Sequence, residues 1–127
     1  MGKRIKTLIY GERKECSTMI DMLRVHPCFA DDHHEYCDVD DYEQFHMQLV
    51  DWDPDLVIVK KDGAAGMEGV YLANNQRPMI PILWFSDDKD FSMQSHRMEC
   101  VYFSVKPATP EKLDRAIRRC QFLGIQI

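Results

Sequence analysis

The sequence PDLVIVKKDGAAGMEG at residues 54–69 decides the fold of this chain. Its apolar run at residues 56–59 has no polar break and ends in two lysines, an aspartate and a glycine. Such a run, bounded by turn residues, is typical of a strand buried on both faces of a parallel sheet. Because ligands of these sheets bind beyond the carboxyl ends of the strands, Lys60, Lys61 and Asp62 stand where the fold class carries its chemistry.

Length and composition indicate one ordinary soluble domain over residues 1–127. The net charge of -5 gives no sign of a nucleic-acid or membrane partner. The amino-terminal residues have neither a signal-peptide apolar core nor a cleavage site, so we expect a cytoplasmic protein. The five cysteines show no CxxC spacing and are expected to be reduced, mostly buried thiols.

Outward from residues 54–69, strand and helix patterns alternate five times. This predicts an α/β, three-layer αβα, flavodoxin-like (β/α)5 fold, whose common strand order at this size is 2-1-3-4-5. We expect Asp40 or Asp41 to cap the second helix, in which Phe45, Leu49 and Val50 form one apolar face, and Thr109 to cap the last. Strands are predicted at residues 6–10, 34–39, 56–59, 80–85 and 100–105, and helices from 16 to about 26, from 42 to 52, after a loop at 63–66, at 89–98, and from 110.

Four short motifs, in order and at matching spacing, resemble the receiver domain of two-component response regulators. They are PDLVIV at 54–59, GMEG at 66–69, PILWFS at 81–86, and FSVKP at 103–107 before a proline-started helix. The resemblance covers nearly the whole chain, from about Arg4 to Leu123. It implies a non-enzymatic signalling module that acts through partner proteins.

In that family an aspartate after the third strand accepts a phosphoryl group beside Mg²⁺, because phosphoryl transfer needs positioning and charge neutralisation. The resemblance implies Lys106 and Ser86 as the phosphate-contacting residues and Phe103 as the aromatic switch position. It places the acidic pair on Gly11 and Glu12, so that only Glu12 remains of the acidic pocket.

The acceptor position falls on Lys60, or on Lys61 when counted back across a loop that is one residue longer. An amine cannot form an acyl phosphate and is a poor ligand for a hard cation. We therefore expect a degenerate pseudo-receiver without the usual phosphorylation. A lysine here would bring a fixed positive charge near Lys106, and we hypothesise that Lys60 pairs with Glu12 in place of a neutralised magnesium site.

Asp62 offers an alternative: a displaced acceptor that would bind Mg²⁺ together with Glu12. The other interpretation of Asp62 is a turn residue, since Asp-Gly is a common turn dipeptide.

A third class of function is a small flavodoxin-like metal or ligand binder. Its candidate ligands lie at residues 31–37, although a strand would point alternate side chains to opposite faces, and a solvated edge loop is the other interpretation. Cys16, near the start of the first helix, is either a nucleophile or a small core residue. The ligand candidates are Asp31, Asp32, His33, His34, Glu35 and Cys37.

The fourth helix, fifth strand and fifth helix form a second candidate surface. In the resembling family this face meets partners or forms a homodimer, and Met is adaptable at such surfaces. No output domain follows the fifth helix in the sequence, so we expect a stand-alone module. The residues singled out on this face are Met93, Met98, Arg97, Asp114, Arg115 and Arg118, together with the apolar tail FLGIQI.

Overall fold

A computed structural model describes residues 4–31 and 33–127. Strands and helices alternate as the sequence predicts, and a short 3-10 turn at Lys89–Phe91 leads into the fourth helix. None of the described helices is long and apolar enough to span a membrane. The strands are β1 Ile5–Tyr10, β2 His34–Val39, β3 Leu56–Val59, β4 Ile82–Ser86 and β5 Tyr102–Val105; the helices are α1 Arg13–Val25, α2 Tyr42–Asp51, α3 Gly63–Gln76, α4 Ser92–Arg97 and α5 Pro110–Phe122.

The five strands form one parallel sheet in the order β2-β1-β3-β4-β5, which confirms the predicted flavodoxin-like topology. The polar strand β2 lies at an edge, and the apolar strand β3 lies in the centre, where both of its faces are covered. This order brings the carboxyl ends of β1, β3 and β4 side by side.

Alternate strand residues separate the core into two apolar layers. In β3, Leu56 and Ile58 pack with α1 and α5, whereas Val57 and Val59 pack with α2 and α3. Helices α1 and α5 therefore cover one face of the sheet, and α2 and α3 cover the other.

The predicted helix caps are present. Asp41 accepts a hydrogen bond from the backbone N–H of Gln44 at 2.7 Å at the start of α2. Thr109 accepts one from Lys112 N–H at 3.2 Å before the proline that begins α5. Both caps satisfy N–H groups that a helix start leaves without an internal partner.

Some predicted boundaries and one core residue are wrong. Val50 is half exposed rather than buried, because only Phe45 and Leu49 of α2 point at the sheet. The predicted loop at residues 63–66 is the first turn of α3, which begins directly after Asp62. Strands β4 and β5 each begin two residues later than predicted, since apolar residues that precede a strand look like part of it.

Two glycines let α3 approach the sheet closely. A Cβ added at Gly66 would lie 2.2 Å from the backbone oxygen of Lys61, and one at Gly69 would lie 2.7 Å from the ring of Tyr10. That ring stacks on Phe45 of α2, with centroids 4.4 Å apart. The two glycines of the GMEG motif therefore allow α3 to pack closely against the carboxyl end of β3.

Candidate functional site

The side chain of Lys60 lies at the carboxyl end of β3 and turns toward α1. Only 5% of it is exposed, and its Nζ lies 4.0 Å from Oε1 of Glu15 and donates to the backbone oxygen of Glu15 at 3.4 Å. Burial lowers the pKa of Lys60; the Glu15 carboxylate opposes this effect and the Lys106 ammonium adds to it. Lys60 is thus a buried cation whose nearest carboxylate lies at the outer limit of ion-pair distance.

Lys106 joins three elements at the centre of the site. Its Nζ lies 2.7 Å from Oε1 of Glu15 and 2.6 Å from Oδ1 of Asp62, and it donates to the backbone oxygen of Lys60 at 2.6 Å. Burial acts to lower the pKa of Lys106, but the hydrogen bonds to Asp62 and Glu15 outweigh it and raise that pKa overall. The peptide bond from Lys106 to Pro107 is cis.

Lys61 points away from Lys60, since successive residues at a strand end alternate in direction. Its Nζ lies 5.6 Å from the ring centroid of Tyr10 and 3.9 Å from Oε1 of Glu12. The hypothesis that Lys60 pairs with Glu12 is therefore wrong. Glu12 meets Lys61, and Lys60 meets Glu15 instead.

The site is an electrically balanced cluster. Each carboxylate lies within 4.0 Å of an ammonium group. Gly11, at the other acidic position of the resembling family, faces Lys60, because a Cβ added there would lie 3.0 Å from Cβ of Lys60. Mg²⁺ is held by carboxylates and water, and these carboxylates already have cations beside them. The cluster consists of Lys60, Lys61 and Lys106 with Glu12, Glu15 and Asp62.

The predicted hydroxyl and aromatic positions lie on the neighbouring strands. Ser86 is buried at the end of β4, and its Oγ accepts from the backbone N–H of Asp88 at 3.1 Å. Phe103 packs edge-on against Trp84, with ring centroids 5.2 Å apart. The residue after Ser86, Asp87, accepts from the backbone N–H of Gly63 at 2.8 Å and so ties the β4 loop to the start of α3.

Sequence reasoning missed Glu15 and Asp87. A signal for Glu15 was available: it lies three residues after Glu12, so the two side chains share one side of the first turn of α1. Asp87 had no comparable signal, because its partner is a backbone N–H that only the packing of two loops brings near.

The described residues of the segment 31–37 do not come together as a metal site. Nδ1 of His34 lies 3.0 Å from Oδ1 of Asp31, whereas Cys37 packs into the apolar layer on the other face of the sheet. Within residues 4–31 and 33–127, no group of three or more His, Cys, Asp or Glu side chains could hold a metal ion. Asp32, also among the candidates, lies outside the described residues.

Cys16 is fully buried under β1, and its thiol lies 3.9 Å from the backbone oxygen of Ile9. Burial, with a further contribution from the charge of Asp38, raises the pKa of Cys16 to about 12. A thiol that keeps its proton at neutral pH is a weak nucleophile, so the structure favours the core interpretation.

The α4–β5–α5 surface contains a groove of about 690 Å³. Met93 of α4 does not line this groove and is 65% exposed, whereas Met98 is buried. Arg118 pairs with Asp114 within α5 at 2.7 Å, and Asp114 also meets His26 at 2.9 Å. These two charges are thus occupied within the chain.

Comparisons of the fold agree with the motif evidence. The chain has the fold of response regulator receiver domains: it resembles a CheY-like receiver domain from Methanospirillum hungatei with a TM-score of 0.75 and 15% identity, covering 98% of this chain and 97% of that one. It also resembles the receiver domain of a modulated diguanylate cyclase from Desulfovibrio desulfuricans (TM-score 0.67, 20% identity, 91% and 92% covered). A pilus assembly protein, CpaE, from Caulobacter crescentus is similar as well (TM-score 0.63, 18% identity, 91% and 92% covered).

No protein-family model matches the sequence. No curated protein sequence matches it either. The likeness to known proteins therefore lies in the fold.

Proposed function

We propose that this chain is a receiver-like interaction module of signalling that does not accept a phosphoryl group after its third strand. The observation that supports the proposal is the buried Lys60, which directly follows β3, where the resembling family has its acceptor aspartate, and lies 4.0 Å from Glu15. An ammonium group there cannot form the acyl phosphate that a carboxylate forms, and its positive charge opposes the binding of a magnesium ion beside it.

The balanced cluster supports a module held in one state. In a receiver, a bound cation and the phosphoryl group change the charge at the end of β3; here the ammonium group of Lys106 is paired with both Glu15 and Asp62. The Lys106 ammonium donates hydrogen bonds to both carboxylates, and these bonds favour one fixed arrangement of the loops that follow β3 and β5. Such a module acts through contact with a partner protein rather than through turnover, and it needs no Mg²⁺.

Exposure to acetyl phosphate with Mg²⁺, followed by intact-mass measurement, tests the proposal. We expect no phosphoryl adduct, and no chemical-shift change at residues 60–63 when beryllofluoride and Mg²⁺ are added. A receiver domain with an intact acceptor aspartate is the positive control, which shows that acetyl phosphate and beryllofluoride are active under the same conditions. A stoichiometric adduct on the unaltered chain would sink the proposal.

Asp62 is the second candidate, and one observation favours it. Its side chain is 55% exposed and lies 2.6 Å from Lys106, the residue that would contact a phosphoryl oxygen. If Asp62 is a displaced acceptor, the adduct forms on the unaltered chain and disappears in Asp62→Asn, whereas Asp87→Asn retains it. We favour the first proposal, because in-line transfer tolerates little displacement of the acceptor.

A further inference from the structure

The outer face of α2 combines acidic residues with exposed apolar side chains. Residues 38–53 contain six acidic residues and no lysine or arginine. One of the six, Asp53, is paired with Arg77 at 2.8 Å, and the Arg77 guanidinium also donates to the backbone oxygens of Leu49 and Val50, so the other five acids give the surface its negative charge. Between these acids, Tyr42, Met47 and Val50 are each about half exposed, and a shallow hollow of about 320 Å³ is lined by His46, Met47, Val50 and Asp51. We call this surface, formed by Tyr42, His46, Met47, Val50 and Asp51, the acidic face.

A surface of opposite charge lies at the end of α5. Residues 112–119 carry four basic residues and one acid, and that acid, Asp114, is already paired with Arg118. Beyond them Phe122 is 83% exposed and Leu123 is half exposed. We call the surface formed by Arg115, Arg119, Phe122 and Leu123 the basic face.

We propose that the acidic face of one copy of this chain binds the basic face of a second copy. Each face is apolar at its centre and charged around it, which is the arrangement of protein-binding surfaces, and their charges are opposite. Phe122 supplies the aromatic anchor that the hollow beside Val50 lacks. One contact of this kind covers both exposed apolar patches.

The positions of the two faces determine the kind of assembly. Helix α2 covers one side of the sheet and α5 covers the other, so each copy presents its acidic and basic faces on opposite sides. A contact between unlike faces is heterologous and adds copies head to tail instead of closing a symmetric pair. A symmetric dimer through the basic face would bring Arg115 and Arg119 of both copies together, and like charges in contact oppose binding.

This inference deepens the proposed interaction function by identifying a partner, and it rests on that function. The two fail separately: phosphoryl-adduct formation tests the function, whereas sedimentation tests the assembly. In sedimentation velocity of the full chain at low ionic strength, we expect species larger than a dimer to grow with concentration. Added salt should weaken them, since charges contribute to the contact.

Two variants block one face each: Val50→Lys on the acidic face and Phe122→Glu on the basic face. We expect each substitution to lower the association constant at least tenfold, so that each variant alone is monomeric. Mixed in equal amounts they should form a 1:1 dimer, because each keeps one intact face. Val25→Lys, at an exposed valine at the end of α1 and outside both faces, is the matched control and should assemble like the unaltered chain.

Two results would overturn the proposal. One is an unaltered chain that stays monomeric at every concentration. The other is a dimer that Phe122→Glu abolishes, Val50→Lys leaves unchanged and mixing does not restore, which would indicate a symmetric contact through α5. Circular dichroism of each variant checks that the fold is kept, as expected for substitutions at exposed positions.

Discussion

The side chain of Lys60 is almost fully buried, and its ammonium group lies 4.0 Å from the nearest carboxylate oxygen, which belongs to Glu15. Removing a charge from water costs several kcal/mol, and attraction at this distance only partly offsets that cost. We therefore expect Lys60→Met to stabilise the fold by about 1 kcal/mol in chemical denaturation, since Glu15 keeps Lys106 as its partner. Lys61→Met, at the more exposed neighbour, is the control and should change stability less.

The stabilisation by Lys60→Met should depend on pH. In the folded chain the pKa of Lys60 is lowered, so the unaltered protein gains stability as pH rises from that pKa toward the unfolded value of 10.5. Over this window Lys60 loses the charge that burial opposes. The difference between the variant and the unaltered chain should thus be largest near neutral pH and shrink toward pH 10.5. A difference that grows with pH would contradict the explanation.

Lys106 presents the opposite case. Its ammonium has short contacts with Glu15, Asp62 and the backbone oxygen of Lys60. Lys106→Met leaves these acceptors without their donor, and we expect a loss of about 2 kcal/mol in the free energy of unfolding. Lys14→Met, on the exposed side of α1, should have a negligible effect.

The raised pKa of Lys106 means that its contribution is fully present below the unfolded pKa of 10.5. It is lost as pH rises through the folded-state pKa. If Lys106→Met were as stable as the unaltered chain at neutral pH, the cluster would not hold the loops together.

At the scale of elements, α3 depends on contacts that leave no room for a side chain at two positions. Gly66→Ala would place a methyl group against the backbone oxygen of Lys61, which cannot rotate away, whereas Gly69→Ala meets the ring of Tyr10, which can tilt. We expect losses of about 3 kcal/mol for Gly66→Ala and about 1 kcal/mol for Gly69→Ala in urea denaturation. Equal losses of stability in the two variants would indicate that α3 moves away from the sheet as a rigid unit in both.

The same elements show what the sequence could predict. Strand β3 and the caps at Asp41 and Thr109 were predictable, because an unbroken apolar run and a side chain beside a helix start each leave a local signature. The start of α3 was not, since two glycines hid a helix whose first turn is fixed by tertiary packing.

The candidate site divides in the same way. The residue types at its positions follow from spacing along the strands: Lys60 and Lys61 after β3, and Lys106 after β5. Which lysine meets which acid depends on how α1 docks on the sheet, and no periodic pattern records that. This is why Glu15, the carboxylate at the centre, replaced Glu12 as the partner of Lys60.

At the scale of the molecule, the parallel sheet brings the loops after β1, β3 and β5 to its carboxyl end. The balance of lysines and carboxylates there determines whether a cation can bind. Lys60→Asp removes one cation and adds one anion beside Lys106, which leaves a surplus of carboxylates. We expect the variant to bind Mg²⁺ at least tenfold more tightly than the unaltered chain in calorimetric titration, because hard cations need uncompensated carboxylates. Lys61→Asp makes the same charge change on the side facing Tyr10 and should bind less well. If neither variant binds Mg²⁺, the geometry of this end of the sheet excludes the metal. If both bind it equally, the total charge there, rather than Lys60 itself, excludes the metal.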